Sequence, residues 1–124
     1  MKNQIATTNA PGAIGPYSQA IDCGAFVFVS GQIPVNPTTG EIPKGITAQA
    51  TQSLANVKAI LAEAGLTMAN VVKTTVFLAD MSLFVPMNEV YAQAFTAPYP
   101  ARSAVAVKEL PKQVLLEIEV IAVK

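Results

Sequence analysis

The stretch Leu115-Leu116-Glu117-Ile118-Glu119-Val120-Ile121-Ala122-Val123 limits what this chain can fold into more than any other. Successive side chains of a strand point to opposite faces. Leu116, Ile118, Val120 and Ala122 therefore form one wholly apolar face, and Leu115, Glu117, Glu119, Ile121 and Val123 form the other. A slip of one residue would bury both carboxylates, so the register is well specified. The Glu117 face is still mostly apolar, and a carboxylate there needs a reason. Arg102 stands in a similar setting. It follows Tyr99-Pro100-Ala101 and opens the strand that continues Ser103-Ala104-Val105-Ala106-Val107. Read as neighbouring strands, the two place a cationic fork at the mouth of one and a carboxylate inside the other. That is an anion site with a base beside it.

Charge is scarce elsewhere too. Hydrophobic residues make up 52% of the 124 positions and charged residues 13%, against roughly 25% charged in an ordinary domain. A single domain over 1–124 that buries a second surface against copies of itself accounts for this balance. Eight cations offset eight acids, so a nucleic-acid or anionic-membrane partner gains no electrostatic support. The chain has no apolar run long enough to span a bilayer, and Met1-Lys2-Asn3-Gln4 opens no signal segment. With one cysteine, Cys23, an internal disulfide is excluded and a reducing, cytoplasmic setting is expected. The absence of histidine excludes Ser-His-Asp and Cys-His catalysis and every histidine-containing metal site.

In chain order, the prolines and glycines of Asn9-Ala10-Pro11-Gly12-Ala13-Ile14-Gly15-Pro16-Tyr17 predict a shaped loop over residues 1–19. Tyr17 follows the stiff Pro16 and is either a site residue or an amphipathic plug. Ser18–Asp22 and Ala25–Ser30 read as a hairpin turning at Cys23-Gly24, with Gly31 ending the second strand. Cys23, without a nearby base, reads as inert. Thr47 is the expected cap of an amphipathic cover helix that Gly65 closes, with Gln49, Gln52 and Asn56 off its apolar stripe. A strand over 70–79 and a second helix from about Leu83 to Phe95 follow, with Pro86 in the first helical turn. Phe84, Met87, Tyr91 and Phe95 form the stripe of that helix, and Asn88 sits beside it as a structural amide or a positioning group. Lys108–Gln113 reads as the turn of a hairpin between the last two strands, with Pro111 at the bend. The result is an α+β fold in which two helices cover one face of a four- or five-stranded sheet. The open face then meets other subunits, as in a three-fold ring, and sites fall between subunits.

Arg102 can bind a carboxylate through two parallel hydrogen bonds. The plainer reading is a surface charge or an ion pair. Glu117 can serve as a general base toward water if partly buried, or can pair with Arg102 or Lys108. Glu119 shares its face and remains the rival base.

Gly15-Pro16-Tyr17-Ser18-Gln19-Ala20, Ser30-Gly31-Gln32-Ile33-Pro34, Val72-Lys73-Thr74-Thr75-Val76-Phe77-Leu78, Pro100-Ala101-Arg102-Ser103 and Glu117–Val123 together resemble the Rid (YjgF) family of reactive-intermediate deaminases. The resemblance runs nearly the full length. It implies a chorismate-mutase-like homotrimer with sites at subunit interfaces. The implied activity is hydrolysis of 2-imino acids, such as 2-iminobutanoate and 2-iminopropanoate, to 2-keto acids and ammonia, with no cofactor and no metal. It further implies that Arg102 clamps the substrate carboxylate and Glu117 activates water. Tyr17, Gly31, Asn88 and Ala104 would line or support the pocket. Ala104 stands where many members carry cysteine, which removes a thiol role there. Two rival classes are a 2-keto-acid binding module without turnover and a chaperone-like interaction protein.

Overall fold

The most apolar strand of the chain sits inside the sheet and not at its edge. A computed structural model describes residues 1–124. Its strands are β1 (Asn3–Ile5), β2 (Ala20–Asp22), β3 (Phe26–Gln32), β4 (Val71–Leu78), β5 (Ala101–Ala106) and β6 (Leu116–Val123), with helices α1 (Ile46–Glu63) and α2 (Phe84–Ala94). They form one six-stranded sheet in the order β1-β2-β3-β6-β4-β5. Every pair is antiparallel except β4 with β5, which is parallel. β3 and β4 both run against β6 and so run parallel to each other. The crossovers β3–α1–β4 and β4–α2–β5 step the same way across the sheet. Right-handed crossovers then place both helices on one face. This is the expected α+β, chorismate-mutase-like architecture, with six strands instead of four or five. The added strand β1 lies in the segment expected to be loop.

The alternation in β6 sets the layers. Leu116, Ile118, Val120 and Ala122 are buried in a 20-residue apolar cluster beneath the helices, and Glu119 is exposed on the opposite face. The expected β2–β3 hairpin is present, pairing Ile21 with Phe28. The expected hairpin between β5 and β6 is not. β4 lies between them, paired to Arg102 through Thr74 on one side and to Glu117 through Phe77 on the other. β6, apolar on one face and largely so on the other, gains most from a central place. β5, rich in alanine and serine, loses little at the edge.

Helix α1 ends as expected. Gly65 has φ 76°, its N–H donates to Ala62 O at 3.0 Å, and Leu66 N–H donates to Leu61 O at 2.8 Å. That double bond pattern needs a left-handed residue after the helix. Thr47 is not the cap. It lies within the helix, and its carbonyl accepts from Thr51 Oγ1 at 2.8 Å. Nor are the polar residues of α1 off its packed face: Gln49, Ser53 and Asn56 are buried. Asn56 Nδ2 donates to the carbonyls of Ile33 (3.1 Å) and Val35 (3.0 Å), and Gln49 Nε2 to that of Pro43 (3.0 Å). Gln49 Oε1 also accepts from Leu115 N–H at 2.8 Å. The helix thus fixes the loop after β3 and the start of β6. Asn56→Ala would strand two carbonyls in a dry place, with an expected loss of about 2–4 kcal/mol. Urea denaturation at fixed protein concentration reads that loss.

Candidate active site

The cationic group lies on the helix face. Arg102 on β5 is level with Thr74 on β4, whose side chain is fully buried under α2. Phe84, Asn88 and Tyr91 follow one another at helical spacing on the side of α2 toward β5. Arg102 Nη1 donates to Asn88 Oδ1 at 2.6 Å. Its guanidinium carbon lies 4.6 Å from the Tyr91 ring centre and 5.3 Å from that of Phe84. The chain's one ion pair joins Lys124 to Asp22, so Arg102 is oriented by a neutral amide and two rings and not cancelled by a carboxylate. Ala104, two residues along, packs on the same core and adds little bulk beside it. Asn88 is therefore a partner of Arg102. Tyr91 and Phe84, read from the sequence as core alone, share that task. Their spacing of three and four residues from Asn88 was the available signal.

The carboxylate lies on the other face. Glu117 sits level with Phe77, half-buried, between residues whose side chains enter the core. It is not paired with Arg102 or Lys108. Burial pushes its carboxyl above the ordinary glutamate range, and the negative charge of Glu119 pushes the same way. Glu119 itself is exposed, which leaves Glu117 as the better-placed base of the two. β3 does not end at Gly31, as expected, but runs on to Gln32, with its register against β6 shifted between Val29 and Gln32. The shift brings the Gly31 backbone against Glu117. A Cβ at Gly31 would overlap the Glu117 carboxylate, so glycine here is a requirement of close approach. Tyr17, 50% exposed, is no core plug. With Gly31, Ile14, Asn36 and Lys112 it lines a cleft of about 250 Å³. Beneath it, Gln19 ties down the loop, its Nε2 donating to Pro11 O at 2.7 Å and its Oε1 accepting from Thr7 N–H at 2.7 Å.

The two candidate groups therefore do not meet within one chain. Arg102 and Glu117 are separated by β4 and by the thickness of the sheet, with their levels three residues apart along β4. At about 4.8 Å between strands and 3.3 Å per residue, no small ligand bridges them within one chain. The reading of the two as adjacent strands is corrected accordingly. Gly31→Ala tests the Glu117 half. The obstructing atoms are the far end of a flexible side chain, so stability should change by less than about 1 kcal/mol. Moving the carboxylate by about an ångström should lower turnover about 10²-fold. Thermal denaturation and single-substrate kinetics together read both.

Sheet and helices define a small α+β domain of the chorismate-mutase-like class, with a cation that no carboxylate neutralises and a half-buried acid. A family model described as Endoribonuclease L-PSP matches residues 7–124. The chain belongs to that family, which the Rid and YjgF proteins share. It is 55% identical to the 2-iminobutanoate/2-iminopropanoate deaminase of Escherichia coli K12, over 100% of this chain and 99% of that one. It is 58% identical to a RutC family protein of Pyrococcus horikoshii, over 100% and 99%. The crystal structure of E. coli TdcF with bound serine superposes with a TM-score of 0.96 at 56% identity, covering 99% of each chain.

Proposed function

We propose that this protein hydrolyses 2-imino acids, including 2-iminobutanoate and 2-iminopropanoate, to 2-keto acids and ammonia, as a cytoplasmic homotrimer with its sites between subunits. The observation that carries the reading is Arg102, a fixed guanidinium that no carboxylate of its own chain neutralises. The full-length likeness to a protein named for that reaction supports it. TdcF was crystallised with serine bound, a small molecule carrying the kind of carboxylate that Arg102 would hold. Eight cations against eight acids favour no nucleic-acid substrate. No helix is long and apolar enough to cross a membrane.

In the proposed site, Arg102 of one copy holds the substrate carboxylate, with Asn88 and Ala104 beside it. Tyr17, Gly31 and Glu117 of the next copy close over the imine. The iminium carbon is already electrophilic, so the chain needs no nucleophilic side chain. Water adds its oxygen to that carbon while Glu117 takes a water proton, giving a carbinolamine. Glu117 returns that proton to nitrogen and then takes the carbinolamine hydroxyl proton as the C–N bond breaks, so the carbonyl forms, ammonia leaves, and the last proton goes to the departing ammonia or to solvent. Holding both reactants in one geometry supplies most of the acceleration.

The raised Glu117 pKa has a direct consequence. Below that pKa the carboxyl is protonated and cannot accept from water, so activity falls on the acid side at a pH above the ordinary glutamate range. Glu117→Gln should remove this acid limb and lower kcat by about 10²–10⁴-fold, while 2-keto-acid binding persists. A variant with full turnover and the same pH profile would exclude Glu117 as the base. A wild type that binds keto acids without turning imines over would be the binding module.

A further inference from the structure

We propose that Tyr91, locked by Thr74, is the positioning residue that aims the Arg102 guanidinium at the substrate carboxylate, an inference that rests on the reading of Arg102 as the carboxylate clamp. The Tyr91 side chain is 5% exposed and Thr74 is 0% exposed. Their hydroxyls bond at 2.7 Å. In a dry site each hydroxyl needs a partner, and each finds it in the other. The bond fixes the tilt of the ring. That ring lies under the guanidinium at 4.6 Å, within cation–π range.

The arrangement forms a closed circuit. Thr74 on β4 is level with Arg102 on β5, so the strand that anchors the ring also neighbours the strand that carries the cation. Asn88, one helical turn before Tyr91, accepts from Arg102 Nη1 through its Oδ1 at 2.6 Å. One helix thus controls the guanidinium twice, by its face through Tyr91 and by its edge through Asn88. The donors not used by Asn88 are left to a ligand carboxylate. A phenylalanine would fill the same core space but leave the ring untethered and the Thr74 hydroxyl unpaired.

The expected signature is weaker ground-state binding with chemistry little changed, because Arg102 grips the carboxylate alike in substrate and transition state. Tyr91→Leu should raise KM about tenfold or more with kcat within about twofold. Tyr91→Phe and Thr74→Val should each raise KM about threefold, and their combination should be no worse than either alone. Pyruvate, titrated calorimetrically into each assembled variant, should weaken in step with KM. Tyr91→Phe keeps the packing and serves if Tyr91→Leu does not fold. Three results would overturn the inference: unchanged KM and pyruvate affinity in folded Tyr91 variants, a loss confined to kcat, or additive effects of the two hydroxyl deletions. Arg102→Ala run alongside separates the two layers. If it leaves KM and pyruvate affinity unchanged, the clamp reading has failed. If it weakens both while Tyr91→Leu does not, only the positioning role has failed.

Discussion

Arg102→Ala should lower kcat/KM for 2-imino acids by about 10²–10³-fold or more and leave the assembled fold in place. Two charge-assisted hydrogen bonds to a carboxylate are each worth about 1.5–3 kcal/mol. Their joint loss is several factors of ten. The cost to stability is small by comparison. The guanidinium belongs to an edge strand and is only partly buried. What the alanine forfeits is ring contact worth about 0.5–1 kcal/mol and the bond to Asn88. Arg102→Lys separates charge from shape. It keeps the cation but loses the planar fork, and should fall between wild type and alanine. A coupled assay in which threonine dehydratase releases the imine reads all three proteins, and size-exclusion chromatography checks the assembly. Undiminished turnover in the alanine variant would remove the enzymatic role from this site. If turnover and keto-acid binding both survive, an interaction role becomes the better account.

Some of the molecule was legible in the sequence because local physics dictates it. The register of β6 follows from strict alternation. The end of α1 follows from Gly65, and the start of α2 from where Pro86 is tolerated. Strand order was not legible in the same way. Nothing between Val107 and Leu115 says whether the chain doubles back beside β5 or passes over β4 to reach the centre. The choice is made by burial of Leu116, Ile118, Val120 and Ala122, a long-range effect. That error moved Glu117 next to Arg102, when the structure puts a strand and a sheet's thickness between them. The polar face of α1 was misjudged for a related reason. Asn56 is buried because it serves a carbonyl 21 residues earlier, and helical periodicity counts only apolar residues. Arg102, Glu117 and Asn88 stand out in the sequence as polar groups in apolar settings. Their distribution over two faces was not legible there.

That distribution leads to the most discriminating experiment, because a site that uses both residues must draw them from two copies. Arg102→Ala carries an intact Glu117 half, and Glu117→Gln carries an intact Arg102 half. At substrate well below KM, each variant alone should be close to inactive. Co-expressed in equal amounts and randomly assembled, a given site receives an intact Arg102 half with a chance of one half and an intact Glu117 half with a chance of one half. About one quarter of wild-type activity should return, whatever the number of subunits in a closed ring. A ring of three gives the same figure by counting. About three quarters of such rings contain both variants, and each of these has one whole site of three. Mixing the purified proteins without dissociating them should restore nothing, since no subunits exchange. Recovery should then appear as unfolding and refolding shuffles the chains. If both residues served within one chain, no mixture could rescue activity, because every chain would carry one defect. Absence of rescue in verified mixed assemblies would therefore overturn the shared site, while leaving the separate roles of Arg102 and Glu117 to their own substitutions.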